Sequence, residues 1–376
     1  MSHLNYLNYL RYSSKFLYKR GLPIYLIHFV TETCTAACEH CLRGNKEYTR
    51  DNELTVDEIE KISKNMSSFL FMFMTGGEPF LRDDLAEIFK IYYKNNSVQK
   101  VMMPSNGSLT EKCIKTTREI LKACPNLHLS VTISIDGLGE DHDRLRNHPG
   151  LFDKAIRTYK ELRLLEKEFP NYNTNLTTNI SSFNQDKLLP LYDYLKKLSN
   201  GANIFNTLTR GSPRNPLAKN VDISKYEEFS NALDDDVRKR VISGFTNFPF
   251  SHFVDAKNLL SRKLIAKVAR EKKWFLPCYA GSLSMVLFSE GDVYPCELLG
   301  KDKSFGNLRD YDYDIKKLWF SKKADDIRKY IKKEKCFCTH ECFITHNLLF
   351  NPIKLPLLLR EWVSLRWYGI KNKKYK

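Results

Sequence analysis

Three closely spaced cysteines near the start of the chain are the residues best suited to carry chemistry. Cys34, Cys38 and Cys41 have the spacing CxxxCxxC and directly follow the apolar run Ile24–Val30. Thiolates this close together are typical ligands of a shared metal centre, and sulfur is the ligand type of iron–sulfur clusters. Three ligands would leave one iron of a four-iron cluster open to a substrate or cofactor. The alternatives are three incidental thiols, or a zinc knuckle with His40 as fourth ligand, although a neighbour of Cys41 is poorly placed to bind the same ion.

A second group of cysteines lies in the last third of the chain. It consists of Cys278, Cys296, Cys336, Cys338 and Cys342. One 4Fe-4S cluster needs four thiolates, so the group is large enough for one such cluster. A structural zinc site is the alternative, because thiolates also suit zinc.

The elements that would position these residues alternate between strands and helices. Six apolar runs, each followed by a helical pattern or a loop, occur between residues 23 and 210. They are Ile24–Val30, Phe69–Met74, Lys100–Met103, Leu127–Ile135, Thr174–Ile180 and Ala202–Leu208. Strands that are apolar on both faces and are separated by helices indicate a parallel sheet covered by helices. The sequence therefore predicts an α/β fold, a partial (β/α)6 TIM-like barrel, followed by a small C-terminal α+β domain that binds the second cysteine group.

Polar or glycine-rich strings stand at the carboxyl ends of four of these strands. The strings are Thr75-Gly76-Gly77-Glu78-Pro79, Pro104-Ser105-Asn106-Gly107, Ser134-Ile135-Asp136-Gly137 and Thr209-Arg210-Gly211. In parallel α/β folds the loops after the strands converge at one edge, where active sites form. We therefore expect these strings to share one site with the cysteine loop.

Composition and pattern divide the chain into five segments. We predict a basic, aromatic N-terminal extension over residues 1–22, the barrel over 23–210 and a helical connection over 211–273. An auxiliary cluster domain over 274–346 and a basic amphipathic tail over 347–376 complete the chain.

The net charge of +16 is concentrated at the two ends of the chain. No acidic residue precedes Glu32, and Glu361 is the only one after residue 346. Such ends could contact an anionic membrane surface, a phosphorylated substrate or nucleic acid, or could simply favour solubility. No signal-peptide pattern and no apolar run of about 20 residues occurs, so we expect a cytoplasmic protein, with a peripheral position at the inner membrane face as one possibility.

The cysteine loop and the strand-end strings together resemble the radical SAM (S-adenosylmethionine) enzymes. In that family three cysteines, here Cys34, Cys38 and Cys41, bind a 4Fe-4S cluster whose open iron is chelated by the amino and carboxylate groups of SAM. The residues that the resemblance assigns to SAM binding are Gly76, Gly77, Glu78, Pro79, Ser105, Asn106, Ser134, Asp136 and Arg146. The glycine pair would approach the SAM amine, the Ser-Ile-Asp-Gly string would reach the ribose hydroxyls, and the arginine would face the SAM carboxylate.

The second cysteine group resembles the SPASM/twitch extension of radical SAM enzymes. The spacing Gly291-x-x-x-x-Cys296 and the later strings Phe305-Gly306-Asn307-Leu308 and Leu318-Trp319 carry this resemblance. A complete SPASM module has seven or more cysteines and two auxiliary clusters, whereas this chain offers five, so we expect one auxiliary 4Fe-4S cluster. Its predicted ligands are Cys278, Cys296, Cys338 and Cys342, with Cys336 as the alternative ligand. A second auxiliary cluster would need ligands such as His340, Glu341 or His346.

Glu297 directly follows one of these cysteines. In sulfatase-maturing relatives an acidic residue at the matching place accepts a substrate proton, and a carboxylate beside a cluster could act as such a base. The alternative is a surface carboxylate on a hairpin.

The resemblance implies an enzyme that cleaves SAM reductively to a 5′-deoxyadenosyl radical, which then abstracts hydrogen from a substrate. An electron donor such as flavodoxin or ferredoxin would reduce the cluster, and the auxiliary cluster could assist a two-electron oxidation. We expect a small-molecule, sugar or lipid-linked substrate, because many peptide-modifying relatives carry a leader-binding domain before the barrel, where this chain has residues 1–22. The alternative is a maturase of a ribosomally synthesised peptide. A rival of another class is a basic zinc-binding protein that contacts nucleic acid, a partner that the radical SAM interpretation does not predict.

Overall fold

A parallel sheet of six strands forms the first half of the fold in the computed structural model, which describes residues 12, 21–43, 50–242 and 251–373. The strands are β1 (Tyr25–Thr31), β2 (Phe71–Gly76), β3 (Lys100–Ser105), β4 (His128–Ser134), β5 (Tyr172–Ile180) and β6 (Ile204–Leu208). Each pairs in parallel with the next one along the chain. The predicted partial barrel is therefore confirmed, and the strand-end strings stand at one edge of its sheet.

Helices between these strands cover the outer face of the sheet. They are α1 (Val56–Lys64), α2 (Leu85–Asn96), α3 (Thr110–Ala123), α4 (Glu140–Arg146), α5 (Leu151–Glu168) and α6 (Leu188–Ser199). Every residue of β1 is buried, as expected of a strand covered on both faces. Helix α1 begins at a capping box in which the side chains of Thr55 and Glu58 bond each other's backbone N–H groups, and it ends at Lys64.

The hairpin of the second cysteine region extends the barrel sheet rather than forming a sheet of its own. Strand β7 (Ser284–Leu287) pairs in parallel with β1, and β8 (Asp292–Tyr294) and β9 (Gly306–Asn307) follow in antiparallel order. The sheet order is β6-β5-β4-β3-β2-β1-β7-β8-β9. This arrangement covers the edge of β1, which would otherwise expose unpaired backbone groups.

Two helices from the predicted connection, α7 (Ile223–Lys239) and α8 (Ser251–Glu271), pack beside the open end of the sheet. Short helices α9 (Ile315–Trp319) and α10 (Lys322–Lys333) follow the hairpin. The final helices are α11 (Glu341–Leu349) and α12 (Leu355–Lys373). The predicted N-terminal extension lies almost wholly outside the described residues.

Helix α11 spans the gap between the first and the last barrel strand. Glu341 Oε1 accepts a hydrogen bond of 2.9 Å from the N–H of Leu208 at the end of β6. The ring of His346 stacks on Tyr25 of β1 with 4.0 Å between ring centroids. The side of the barrel left open by six strands is thus covered by a C-terminal helix.

Helix α12 packs against α8 and α7 through Leu358 and Leu365, both buried. Glu361 also forms an ion pair with Arg238 of α7. Within the described part of the chain, no single helix is long and apolar enough to cross a membrane. The segments Glu341–Leu349 and Pro352–Tyr368 pass that test only as a pair, and they are bent by 83°.

Candidate active site

A cavity of about 1260 Å³ runs through the barrel and joins most of the predicted site residues. Its wall includes the cysteine loop, several strand-end residues, and parts of helices α8, α11 and α12. Ligand cavities in proteins usually measure about 300–1000 Å³, so this one has room for more than one small molecule. Catalytic groups and a substrate could therefore meet inside it.

The three cysteines of the first loop all lie on the cavity wall. Cys34 is exposed to the cavity, Cys41 is half-buried and Cys38 is buried. The N–H of Ala36 donates to Cys34 Sγ at 3.5 Å, and Asn106 Nδ2 donates to the same sulfur at 3.6 Å. Such bonds favour the thiolate form that a metal requires.

Backbone hydrogen bonds hold the cysteine loop from two sides. The N–H groups of Ala37 and Glu39 donate to the carbonyls of Arg146 and Leu145, each at 3.0 Å. On the other side, the N–H of Arg214 donates to the carbonyl of Cys41 at 3.0 Å. The loop is therefore held in position by the segments that follow β4 and β6.

The donor set fits an iron–sulfur cluster. Burial raises the pKa of Cys34, and it raises the pKa of Cys38 to about 12, so these thiols need a bound cation to ionise. Among the described residues, no three His, Cys, Asp or Glu side chains converge on one metal ion. A 4Fe-4S cluster does not require its ligands to converge on one ion, since each thiolate binds a different iron.

The glycine pair after β2 packs directly against the start of the cysteine loop. A Cβ atom on Gly76 would stand 2.1 Å from the carbonyl oxygen of Thr31, and one on Gly77 would stand 2.1 Å from that of Thr33. The N–H of Gly77 donates to Thr31 at 2.8 Å. The glycines are therefore required for the position of the loop, a role that the sequence analysis did not foresee, and both also line the cavity.

Glu78 does not line the cavity, contrary to the prediction of a direct SAM contact. It is buried and accepts hydrogen bonds from the N–H of Asn106 at 2.7 Å, from Ser105 Oγ at 3.0 Å and from the N–H of Phe80 at 3.3 Å. Burial outweighs these donors and raises its pKa to about 7. Glu78 thus connects the ends of β2 and β3, and Pro79 beside it is also buried away from the wall.

Asp136 likewise lies behind the wall, where it holds Arg146. Its Oδ2 accepts from Arg146 Nε at 2.9 Å and Nη2 at 2.6 Å, and its Oδ1 accepts from the N–H of Asn179 at 2.8 Å. Burial alone would raise the pKa of Asp136, but Arg146 and His40 outweigh it and lower the pKa. Ser134 lines the cavity, whereas Asp136, which was predicted to reach the ribose, lies behind the wall and positions the arginine.

Besides the two glycines, four of the residues predicted to contact SAM lie on the cavity wall. They are Ser105, Asn106, Ser134 and Arg146. The structure therefore brings together most of the residues that the resemblance implied, and it places Glu78, Pro79 and Asp136 one layer behind them.

In the second cysteine group, Cys336 associates with three of the predicted ligands. A hydrogen bond between Cys278 and Cys336 raises the pKa of the first thiol and lowers that of the second to about 7. The charge of Cys336 also acts on Cys296 and Cys338. The sulfurs of these two residues accept hydrogen bonds from backbone N–H groups at 3.4 and 3.5 Å. These contacts favour Cys336 as the fourth thiol of the group.

Cys342 is set apart from those four thiols. It lies on α11 and lines the cavity, which none of the other four does. Its neighbours include the Tyr25 hydroxyl, whose pKa is raised first by burial and then by this thiol. The start of α11 thus places Cys342 on the cavity wall, away from the position expected of a ligand that shares a cluster with the other thiols.

Glu297 is a buried cavity residue and not a surface carboxylate. Its Oε1 bonds His340 Nε2, while its Oε2 is buried and has no hydrogen-bond partner within the described residues. Burial opposes the charge on both groups, but each stabilises the other, so the pKa of Glu297 is lowered and that of His340 is raised to about 9. The pair is therefore ionic, with one carboxylate oxygen available.

Several cavity residues were not identified from the sequence. They include Tyr25, Lys100, Lys257 and Trp362. Lys100, Met102 and Pro104 alternate along β3 and all face the cavity, so period-two alternation could have indicated the lysine. No comparable signal marks Lys257 or Trp362, because a helix face is recognised only once its packing partners are known.

Two family models match the chain and together cover more than half of it. The model described as the radical SAM superfamily matches residues 29–195, and that of an iron–sulfur cluster-binding domain, SPASM, matches residues 278–343.

Curated relatives include enzymes of different chemistry. Two from Methanosarcina barkeri, Fe-coproporphyrin III synthase and AdoMet-dependent heme synthase, are each 30% identical, over 37% and 45% of this chain. The matches span 36% and 46% of those proteins, which is less than half of their length. The subtilosin biosynthesis protein AlbA of Bacillus subtilis is 24% identical over 84% of this chain and 65% of its own.

Solved structures share the fold. Streptococcus suis SuiB bound to S-adenosylmethionine has a TM-score of 0.59 at 15% identity and covers 86% of this chain and 72% of its own. The enzyme anSMEcpe with bound AdoMet has a TM-score of 0.57 at 16% identity and covers 94% of this chain and 100% of its own.

Proposed function

The chain belongs to the radical SAM superfamily and carries a SPASM iron–sulfur domain, and on that premise we propose that it removes hydrogen from a small-molecule, sugar or lipid-linked substrate held in the barrel cavity. Membership implies a 4Fe-4S cluster and SAM as cofactors, and the SPASM domain implies auxiliary iron–sulfur. One observation carries the proposal: a single cavity connects the cysteine loop, the glycine pair and the second cysteine region.

We assign the SAM cluster to Cys34, Cys38 and Cys41. When bound, the cluster and SAM supply the 5′-deoxyadenosyl radical that abstracts hydrogen from the substrate. The chain contributes positioning, because Arg146 is fixed by Asp136 on the cavity wall and can pair with a carboxylate. The apolar strand residues of the wall exclude water from the reacting groups.

Cys278, Cys296, Cys336 and Cys338, none of which lines the cavity, would hold an auxiliary cluster. Glu297, next to one of these thiols, is kept ionised by His340 and has one buried oxygen, Oε2, without a described partner. We propose that Oε2 accepts a proton from the substrate during its oxidation.

The enclosure of the cavity favours a small or lipid-linked substrate. Leu359 and Trp362 of α12 form part of the cavity wall together with α8. The C-terminal helix therefore covers the side of the cavity along which an extended peptide could otherwise bind. A peptide substrate is the second candidate, because AlbA serves bacteriocin biosynthesis and SuiB has been solved with its precursor peptide SuiA.

Mass spectrometry tests the substrate class. Metabolite, lipid and peptide extracts are compared between strains that produce the wild-type protein and the Cys34→Ala variant, with Cys124→Ala as a matched control away from the cavity. We expect a mass difference in the small-molecule or lipid fraction only with Cys34→Ala. A difference confined to a short peptide would contradict the small-substrate proposal and support the maturase alternative.

We further propose that the outer face of α12 docks on an anionic membrane surface. Ile353, two residues before α12, is 84% exposed, and Leu357 and Trp367 on the helix itself are 45% and 62% exposed. Arg360 and Arg366 are exposed beside this apolar stripe. Apolar and cationic side chains on one helix surface suit the interface of an anionic bilayer.

A further inference from the structure

Strand β5 carries polar side chains on the face that points into the barrel. Thr177 and Asn179 line the cavity, and Asn175, two residues before Thr177, lies on the same face because side chains alternate along a strand. The other face, which includes Leu176, packs into the hydrophobic core. A parallel strand that is covered on both faces is usually apolar throughout, so packing does not explain the inward polar residues.

Strand β4 continues this polar surface. Thr132 and Ser134 line the cavity. In the sheet register, Thr132 pairs with Asn175. Ser134 pairs with Thr177 in the same way, so these four residues form one uncharged polar wall. Strands β1 and β2 instead contribute a mainly apolar wall, which includes Ile27, Phe29, Phe71 and Phe73.

Thr132 and Asn175 each bury a polar atom that the protein does not pair. Their side chains belong to residues that are only 3% and 2% exposed. Within the described residues, Thr132 Oγ1 and Asn175 Nδ2 have no hydrogen-bond partner. Farther along β5, by contrast, Asn179 Nδ2 donates to Thr207 Oγ1 at 3.0 Å. Buried polar groups are nearly always paired, so an unpaired couple on adjacent strands indicates a ligand group.

The two unpaired groups are placed to hold a single acceptor atom. Neighbouring strands lie about 4.8 Å apart, and the side chains of paired residues leave the sheet on the same side. One oxygen atom between the strands is therefore within reach of both the Asn175 amide and the Thr132 hydroxyl, each of which can donate. A carbonyl oxygen has two lone pairs and accepts two hydrogen bonds, so it matches this pair of donors.

The positions around this pair are uncharged. Pro104 is the partner of Thr132 on β3, and Ser134 and Thr177 come next toward the carboxyl ends of the strands. Lys100 stands four residues before Pro104, which is roughly 13 Å along the strand. An ionised group would lose its hydration here without a cation beside it, so the surroundings favour a neutral acceptor.

We propose that Thr132 and Asn175 bind an uncharged carbonyl oxygen of the substrate, as found in an amide, an ester or a ketone, while the apolar wall contacts its hydrocarbon part. This inference rests on the proposed function and deepens it, because it names the chemical group by which the barrel recognises its substrate. Thr132 lies two residues, or roughly 7 Å, deeper in the barrel than Ser134. The carbonyl therefore binds below the residues assigned to SAM, and the reacting carbon points back toward the cysteine loop.

The stability of variants distinguishes a binding role from a structural one. Thr132→Val and Asn175→Leu each remove an unpaired buried group, so the denaturation midpoint of the anaerobic holoenzyme should stay the same or rise. Thr178→Val on the outward face of β5 is the matched control. Thr178 Oγ1 donates to the carbonyl of Ile135 at 2.8 Å, so its loss should lower the midpoint. A fall with Thr132→Val or Asn175→Leu as large as that of the control would overturn the inference, because the protein itself would then satisfy these groups.

Small aromatic probes test the ligand group on the reconstituted holoenzyme with SAM. The probes are 3-phenylpropanamide, 4-phenyl-2-butanone and butylbenzene, which share a phenylethyl group and differ in whether they carry a carbonyl. Equilibrium dialysis measures their affinities. We expect Thr132→Val and Asn175→Leu each to weaken binding of the amide and the ketone about tenfold, the effect of losing one hydrogen bond, and to leave butylbenzene unchanged. Thr178→Val should bind all three probes as the wild type does.

Amide and ketone affinities that survive both variants, or an equal loss for butylbenzene, would overturn the inference. The same holds if 3-phenylpropanoate binds more tightly than the amide and loses affinity in the same variants, since the site would then recognise an anion. Iron content and SAM affinity are measured on the same samples, and weaker SAM binding by either variant would assign the two groups to SAM instead. A wild type without iron and SAM binding would contradict the proposed function itself, whereas normal iron and SAM binding with unaffected probes would show that only the carbonyl site is wrong.

Discussion

At the scale of single residues, the structure distinguishes thiols that their spacing leaves equivalent. Cys336, Cys338 and Cys342 lie within seven positions of one another, and spacing alone does not say which of them bind one cluster. Folding separates them, because α11 begins at Glu341 and turns Cys342 toward the cavity while Cys336 contacts Cys278. The sequence therefore predicted the group of thiols, and only the backbone path determines its members.

Iron analysis of single-cysteine variants tests this assignment. Cys336→Ala should lower iron from about eight to about four per chain, because one 4Fe-4S cluster loses a ligand. Cys342→Ala should leave iron at about eight, since that thiol lines the cavity. Iron lost from the Cys342 variant but retained in the Cys336 variant would restore the ligand set predicted from the sequence.

The strand-end motif that contains Asp136 does not reveal that this carboxylate is buried in an ion pair with Arg146. An Asp-Gly turn after a strand predicts an exposed carboxylate, yet the structure buries this one beneath the arginine that it holds. The carboxylate keeps Arg146 charged and oriented, so we propose that it acts on SAM only through the arginine.

We expect Asp136→Asn to weaken SAM binding about tenfold by loosening this ion pair. Equilibrium dialysis with the reconstituted protein measures the affinity. Asp141→Asn, a carboxylate nearby on α4 that pairs with Arg144 at the surface, is the control and should bind SAM normally. If Asp136→Asn binds SAM as tightly as the wild type, the positioning role is wrong.

At the scale of elements, the six barrel strands could be predicted from the sequence, whereas the pairing of β7 with β1 could not. Apolar runs followed by polar strings indicate strands that point their carboxyl ends at one site. The four residues of β7 form a similar run, but a short run carries no information about its partner in the sheet. The covering role of α11 and α12 was also beyond the sequence, because it depends on which helix faces meet.

Helix α12 should depend on its buried face for stability. Leu358 is fully buried against α8, whereas its neighbour Leu357 is 45% exposed. Leu358→Ala should cost about 2–5 kcal/mol of unfolding free energy, and Leu357→Ala about 0.5 kcal/mol or less. Chemical denaturation of anaerobic samples measures both, and hydrogen exchange within residues 355–368 reports where the loss occurs.

Equal destabilisation by the two leucine variants would contradict the packing of α12 described above. Leu359 and Trp362 on the same helix line the cavity, so loosening α12 should also weaken substrate binding.

At the scale of the whole molecule, we propose that the reaction takes place inside the barrel and that the tail contacts other surfaces. The sequence showed that both ends of the chain are basic, but it did not show which side chains of the tail face solvent. In the structure, α12 buries one face on the helical layer and presents the other, with Leu357 and Trp367, to the outside.

Membrane docking by this face is tested with vesicles. The double variant Ile353→Glu and Leu357→Glu should lose most of its binding to vesicles of mixed phosphatidylglycerol and phosphatidylcholine, because it places negative charge on the apolar stripe. Leu189→Glu, at an exposed leucine on α6, is the control and should bind normally. Wild-type binding should weaken as salt rises, and salt-independent or variant-independent binding would contradict docking through α12.

The central claim is that the cysteine loop carries the SAM-cleaving cluster of a radical SAM enzyme with one auxiliary cluster. The most direct measurement is iron and labile sulfide analysis of anaerobically prepared protein, combined with detection of 5′-deoxyadenosine after reduction in the presence of SAM. We expect about eight irons and eight sulfides per chain in the wild type, about four of each in the Cys34→Ala, Cys38→Ala and Cys41→Ala triple variant, and 5′-deoxyadenosine from the wild type alone. Zinc without sulfide, or 5′-deoxyadenosine formed equally by the triple variant, would contradict it.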